Sequence, residues 1–103
     1  MARYRLSPTA KQDIRAHWHY IGIQNHNPDA ADRLLDLFFE KFELFARHPE
    51  IGELAHEFQG IREGMRTFPV GNYVIYYCPA DNNTVIEVLH VLRGEQEASS
   101  LLS

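Results

Sequence analysis

The chain has 103 residues, a net charge of −4, 45% hydrophobic and 23% charged residues. That is one globular domain, 1–103, with too much apolar material for a disordered chain. No apolar run approaches the ~20 residues that cross a bilayer, and the two arginines at the N-terminus precede no apolar stretch of the signal-peptide kind. The single cysteine, Cys78, cannot form an internal disulfide, which fits a reducing cytoplasm. An acidic balance disfavours nucleic acid as the main partner, because phosphate binding draws on a basic excess. The charge is uneven: residues 1–20 set Arg3, Arg5, Lys11 and Arg15 against Asp13, while 21–60 set eight acids against Arg33, Lys41 and Arg47.

Arg3-Tyr4-Arg5-Leu6 alternates polar and apolar residues and reads as a short strand with Tyr4 and Leu6 inward. Ser7-Pro8 is a helix start, the serine as cap and the proline in the first turn. Ala10, Ile14, Trp18 and Ile21 then fall on one helical face, and the helix fades at 22–25. Asn27-Pro28 repeats the start signal. Ala31, Leu34, Leu35, Phe38, Phe42 and Phe45 form an apolar face, opposite a stripe of Asp29, Asp32, Asp36, Glu40 and Glu43. Arg47 and His48 suit the negative end of that helix, and Pro49 and Gly52 end it. The short gap between the helices predicts an antiparallel helical hairpin.

Residues 49–64 read as a loop. Extended segments follow at 65–68, stopped by Pro69, then at 73–78 and 84–92, with turns at 71–72 and 79–83 and a short helix at 95–102. The expected order is β-α-α-β-β-β-α, an α+β fold with a mostly antiparallel sheet and the helical hairpin on one face. Strict alternation in the last strand sets Ile86, Val88, His90 and Leu92 against Val85, Glu87, Leu89 and Val91. Both faces of the sheet are then apolar. The second face calls for cover from the C-terminal segment, a second copy or another protein.

Chemistry is sparse. The six histidines include no His-Glu-x-x-His pair, and there is no second cysteine, so no metal site or cofactor is expected. Gly60 and Gly64 flank a turn rather than a phosphate loop. Cys78 lies in an apolar strand with no adjacent base. One acid–base set is conceivable: Glu63, Arg66 and His90, with Arg62 and Arg93 nearby in sequence. A metal-free ribonuclease needs a base, an acid and a phosphate-binding cation, and those residue types are present. The plainer alternative makes the arginines surface ion pairs and His90 a strand residue.

An ordered set of segments resembles the ParE toxins of the RelE/ParE superfamily of bacterial type II toxin–antitoxin systems. The set is Tyr4-Arg5-Leu6-Ser7-Pro8-x-Ala10, Asp13-Ile14, Trp18-x-Tyr20-Ile21, Asn27-Pro28-x-Ala30-Ala31, His48-Pro49-x-Ile51-Gly52, the run from Gly64-Met65-Arg66 to Tyr76-Tyr77, and Val85-Ile86-Glu87-Val88-Leu89-His90-Val91-Leu92-Arg93-Gly94. The resemblance implies a toxin that poisons DNA gyrase by binding it and that a ParD-like antitoxin neutralises, in a pair that stabilises a plasmid or chromosome. RelE-like relatives instead cut messenger RNA on the ribosome, with basic or aromatic residues near the C-terminus. The tail from 95 to 103 holds no Lys, Arg, His or Tyr, which favours the gyrase branch and a binding protein over an enzyme. Many family members end on Leu-His-Gly, whereas here His90 stands three residues before Arg93-Gly94. Arg3, Arg5, Arg62 and Arg66 are the candidate antitoxin-binding residues, and Arg66, His90 and Arg93 the candidate target-binding residues. Catalytic roles for Glu63, Arg66 and His90 belong to the ribonuclease alternative.

Overall fold

The computed structural model describes residues 3–58 and 62–94. Strand β1 (Tyr4–Leu6) leads into helix α1 (Pro8–His19), which widens into a π-helical turn (Tyr20–Gln24). Helix α2 (Pro28–Arg47) follows, then β2 (Glu53–Leu54), β3 (Arg66–Val70), β4 (Tyr73–Ala80) and β5 (Val85–Arg93). One five-stranded sheet runs in the order β1-β5-β4-β3-β2, with β1 parallel to β5 and every other pair antiparallel. The α+β fold and the helical hairpin on the sheet match expectation. The closing helix expected at 95–102 lies outside the described residues.

Both helices begin as their caps dictate. Ala10 N–H donates to Ser7 Oγ at 2.9 Å, and Ala30 N–H to Asn27 Oδ1 at 3.2 Å. His26 turns the chain between them with φ of 53°, an uncommon left-handed value for a residue other than glycine. The acidic stripe of α2 faces solvent, and Phe38, Phe42 and Phe45 are fully buried against Ile75, Tyr77, Val88 and Val91. Trp18 Nε1–H donates to Asp32 Oδ1 at 2.9 Å and ties one helix to the other.

The strands extend further than composition suggests. Pro69 does not stop β3 but lies within it, opposite Val74. Strand β2 pairs only with Arg66 and Thr67, so β3 is an edge at Pro69, where a missing N–H costs no ladder bond. Pro79 and Ala80 likewise continue β4. The turn is made by Asp81, Asn82 and Asn83, all left-handed (φ 51°, 58° and 65°), a conformation that short polar side chains tolerate.

Strict alternation fails in β5. Tyr76 pairs with His90 and Tyr77 with Val88, so Leu89 is an extra residue, a β-bulge. Val88 and Val91 both join the core beneath the helices, while Leu89 and Leu92 both face the other side. Each pair is three residues apart, and a regular strand would send its members to opposite faces. The bulge sits where β1 gives way to α1, and side chains of α1 satisfy the β5 edge that no strand covers. Ser7 N–H donates to Val88 O at 3.0 Å, and the Ser7 hydroxyl to Leu89 O at 2.9 Å. Val91 N–H donates to Asp13 Oδ2 at 3.0 Å, and His17 Nε2–H to Val91 O at 2.6 Å.

The pattern called for the C-terminal segment, a second copy or another protein to cover the second face; the connector supplies cover instead from within the described residues. The connector expected to be plain loop carries a short 3-10 turn at Pro49–Ile51, β2, and a second turn at His56–Phe58. From it Ala55, Phe58 and Met65 pack on Tyr76, Cys78, Leu89 and Leu92, a second buried cluster. Hairpin and connector thus pack on opposite sides of the sheet, and the connector's own apolar residues explain why the strands are greasy on both faces.

Tyr77 anchors the start of that connector. Its ring stacks on Phe45 at 4.2 Å, and its hydroxyl accepts from Gly52 N–H and donates to Pro49 O, both at 2.8 Å. A Cβ on Gly52 would lie 2.6 Å from the Tyr77 oxygen and 2.8 Å from Thr67 O. Gly52→Ala therefore costs roughly 1–3 kcal/mol as an overpacked site, lowering the midpoint of thermal unfolding by roughly 5–20 °C. A midpoint within 2 °C of wild type, roughly the error of the measurement, would contradict this packing.

Burial pushes up the phenols of Tyr77, Tyr76 and Tyr4, with smaller contributions from nearby carboxylates, Glu57 for Tyr76 and Glu43 for Tyr4. Their folded values exceed the unfolded value of 10.0, so the neutral phenols stabilise the fold fully below pH 10.0. That contribution is lost as pH rises from there through the folded values. A difference titration in the ultraviolet should show Tyr4, Tyr76 and Tyr77 ionising late, with the urea midpoint falling over the same range.

Candidate functional site

The singled-out residues are scattered over both faces and both ends of the sheet. Arg5 and Arg62 meet on the second face, around Glu87. Arg5 Nη1 lies 2.8 Å from Asp81 Oδ2 and its Nε 3.5 Å from Glu87 Oε2. Arg62 Nη2 lies 2.8 Å from Glu87 Oε1, and its Nε–H donates to Cys78 Sγ at 3.2 Å. Burial alone would lower the Arg62 pKa, but the hydrogen bond to Cys78 and the charge of Glu87 outweigh it and hold the guanidinium higher than usual. Cys78 itself is buried and receives that donor, so it is a packing residue. Glu87 thus holds β1 on one side and the return of the connector on the other.

Arg66 is on the other side of the sheet. It is opposite Tyr77 in register and shares the side of Phe68 and Val70 in β3, beneath the helices. Its Nη1 donates to Gly52 O at 2.7 Å and reaches Glu50 O at 3.4 Å. The guanidinium is thereby spent on the backbone of the 49–52 turn, and it borders a cleft of about 420 Å³ with Pro49, Glu50 and Pro79.

His90 pairs in register with Tyr76 on the second face, at the bulge, its Nδ1 3.5 Å from Asp13 Oδ2 and its ring edge-on to Tyr76. Glu63 is exposed in the turn before β3, beside Gly64, whose φ of 81° suits glycine. Arg66 and His90 therefore point to opposite sides of one sheet. The acid–base set of Glu63, Arg66 and His90 is not gathered around a single point, and Arg66 already has carbonyl partners.

Arg93 ends β5 with its guanidinium 5.2 Å above the Tyr20 ring, a cation–π contact at the tip of the helical hairpin. Together they border a cleft of about 470 Å³ with Pro69, Asn72 and Tyr73. Arg3 stands at the opposite end of the molecule, exposed, just before β1. Beside it Tyr4, Glu43, Ala46 and Arg47 line a groove of about 380 Å³. Among the described residues no group of three or more His, Cys, Asp or Glu side chains is placed to hold a metal ion. No helix among them is long and apolar enough to cross a membrane.

Three residues escaped the sequence reading as site-builders: Glu87, Asp13 and Arg47. Glu87 had a signal, being the lone charge in an otherwise apolar strand core from 85 to 89. Asp13 and Arg47 had none, since each owes its neighbours to a distant strand. Glu87→Gln keeps the shape and removes the charge that two arginines share. It should lower stability by about 1 kcal/mol in urea, a loss that shrinks in 1 M salt as screening weakens the wild-type pairs. An unchanged urea midpoint would show that Glu87 tethers neither segment.

The chain matches the family model of the ParE toxin of type II toxin–antitoxin systems, parDE, over residues 4–98. It is 31% identical over 77 residues to Toxin RelE3 of Caulobacter vibrioides, covering 75% of this chain and 79% of that protein. Among solved structures it resembles the chromosomal ParDE toxin–antitoxin system from P. aeruginosa, with a TM-score of 0.69 and 17% identity over 92% of this chain and 98% of that one. It also resembles the RelBE2 toxin–antitoxin complex from Mycobacterium tuberculosis, with a TM-score of 0.56 and 21% identity over 89% and 96% of the two chains. The structural likenesses bear on the fold, which is the β-α-α-β-β-β-β arrangement described above. The family match spans both helices and all five strands, and with it the chain belongs to the ParE toxins of type II toxin–antitoxin systems, within the RelE/ParE superfamily.

Proposed function

We propose that this toxin acts by binding rather than by chemistry: it poisons DNA gyrase in the cytoplasm, with no cofactor, and a ParD-like antitoxin silences it. The observation that carries this reading is the separation of Arg66 from His90 by the sheet, with Arg66 committed to the carbonyls of Gly52 and Glu50. General acid–base catalysis needs its groups within hydrogen-bond reach of one substrate atom, and this scaffold holds them apart. The acidic net charge argues the same way, since a ribosomal nuclease works against phosphates.

Target contacts are assigned to Arg93, with the Tyr20 cleft around it, and to His90 and Arg66. Antitoxin contacts are assigned to Arg3, Arg5, Arg62 and Arg66, whose carboxylate partners would come from the antitoxin. For Arg5 and Arg62 those carboxylates would have to compete with Glu87.

The resemblance to a relative named RelE3 favours a second reading, a ribosome-dependent messenger RNA endonuclease in which Glu63, Arg66 and His90 take catalytic roles. The two readings separate in one experiment. Purified toxin added to gyrase should block supercoiling and leave cleaved DNA, Arg93→Ala should weaken that effect by about tenfold, and His90→Ala should leave no step of RNA cleavage to lose. Intact gyrase activity beside cut messenger RNA, with cutting abolished in a folded His90→Ala variant, would replace the first reading with the second.

A further inference from the structure

Helix α1 carries one row of residues towards β5, spaced by four and then three: Asp13, His17 and Tyr20. The first two are spent on Val91, Asp13 accepting from its N–H and His17 donating to its carbonyl. Tyr20 opens the π-helical turn and comes next on the row, and Arg93 comes next on that face of β5. The guanidinium carbon lies 5.2 Å from the centre of the Tyr20 ring, and Tyr20 is 42% exposed. Short π segments at the end of α-helices recur at functional sites.

Arg93 is fixed from behind. It pairs in register with Tyr73, whose ring packs edge-on against His17 and Phe38. The next residue, Gly94, donates its N–H to Asn72 O at 2.6 Å. The side chain thus borders the cleft of about 470 Å³ whose other walls include Pro69, Asn72, Tyr73 and Val74. Among the described residues Arg93 is the one charged group lining that cleft, on a chain whose total is −4. A guanidinium held over a ring is preorganised: its fork of N–H donors matches a carboxylate, with less side-chain entropy left to lose. One cation suits one carboxylate. A DNA backbone instead brings many phosphates, which several cations must neutralise, and Asp29 and Asp32 stand on the same hairpin in the first turns of α2.

We propose that this cleft seats an acidic surface residue of gyrase, an Asp or Glu carboxylate on Arg93, with an apolar neighbour of that residue resting on Pro69 and Val74. Tyr20 is a positioning residue that holds the guanidinium in place. This rests on the gyrase reading above and narrows its target contacts, since His90 lies on the opposite face of the sheet and Arg66 at the far end of β3.

The test measures the concentration of purified full-length toxin that half-inhibits supercoiling by gyrase, after the unfolding midpoint of each variant has shown it to be folded. Arg93→Glu should raise that concentration at least roughly 30-fold, because a like charge then meets the carboxylate. Arg15→Glu makes the same change in net charge at an exposed position of α1 outside the cleft and should stay within about threefold of wild type. Arg93→Lys keeps the charge but loses the fork, and should cost about fivefold. Tyr20→Phe keeps the ring and should match wild type within about twofold, whereas Tyr20→Ala should cost about fivefold. That last loss should vanish in an Arg93→Gln background, since Tyr20 acts through Arg93; a merely structural Tyr20 would cost the same in both. Affinity for the antitoxin encoded beside the toxin should stay within about threefold throughout. Inhibition that Arg93→Glu and Arg15→Glu weaken alike would overturn the cleft while leaving gyrase as the target. Antitoxin binding lost in step with inhibition would make the cleft an antitoxin surface and overturn the proposal as well. Binding of toxin alone to DNA that disappears in Arg93→Glu would make the recognised group a phosphate, with the same consequence. Wild-type toxin that leaves gyrase untouched would overturn both the cleft and the gyrase reading.

Discussion

The structure turns on how helix α1 seals the exposed edge of β5. A strand in the middle of a sheet needs hydrogen-bond partners on both sides, but β1 is only three residues long and leaves β5 at Val88. From there Ser7, Asp13 and His17 supply the donors and acceptors that a longer β1 would have supplied. A buried backbone group without a partner costs about as much as a lost hydrogen bond or more. These three side chains therefore set where α1 can lie. Ser7 does two jobs at once, accepting from the first turn of α1 and donating to the bulged Leu89, so helix start and strand irregularity are one feature.

The bulge has consequences across the molecule. It lets β5 contribute Val88 and Val91 to the core under α2, and Leu89 and Leu92 to the smaller core under the connector. Without it one of the two cores would lose a large apolar side chain and expose it on the other. It also places His90 beside Asp13 and Tyr76, on the second face, away from Arg66. The feature that completes the packing thus also takes apart the one acid–base constellation the sequence offered.

Charge is distributed to the same end. Glu87 draws Arg5 and Arg62 into the structure, and the turn at 49–52 draws in Arg66. Several basic residues that look available in one dimension are structural in three. Arg3 with Arg47 beside β1, and Arg93 over the Tyr20 ring at the hairpin tip, border concave surfaces at two ends of the molecule. A toxin that must meet both an inhibitor and a target has use for two separate surfaces.

Local chemistry was legible from the residues alone. Ser7-Pro8 and Asn27-Pro28 start helices because capping and a fixed φ act within four residues, and the phenylalanine spacing of α2 marks its buried face because helical geometry is periodic. The segments at 73–78 and 84–92 read as strands for the same local reason, and the ordered motifs sufficed to indicate the family. What only the tertiary structure decided was everything that depends on a partner far away in the chain. Pro69 is tolerated because β2 stops short of it, Ala55, Phe58 and Met65 cover the second face because they find Tyr76 and Leu89, and the bulge at Leu89 exists because Ser7 answers it. Side-chain pattern records which groups avoid water. It does not record which distant backbone group they meet, and that meeting decided which arginines became structural.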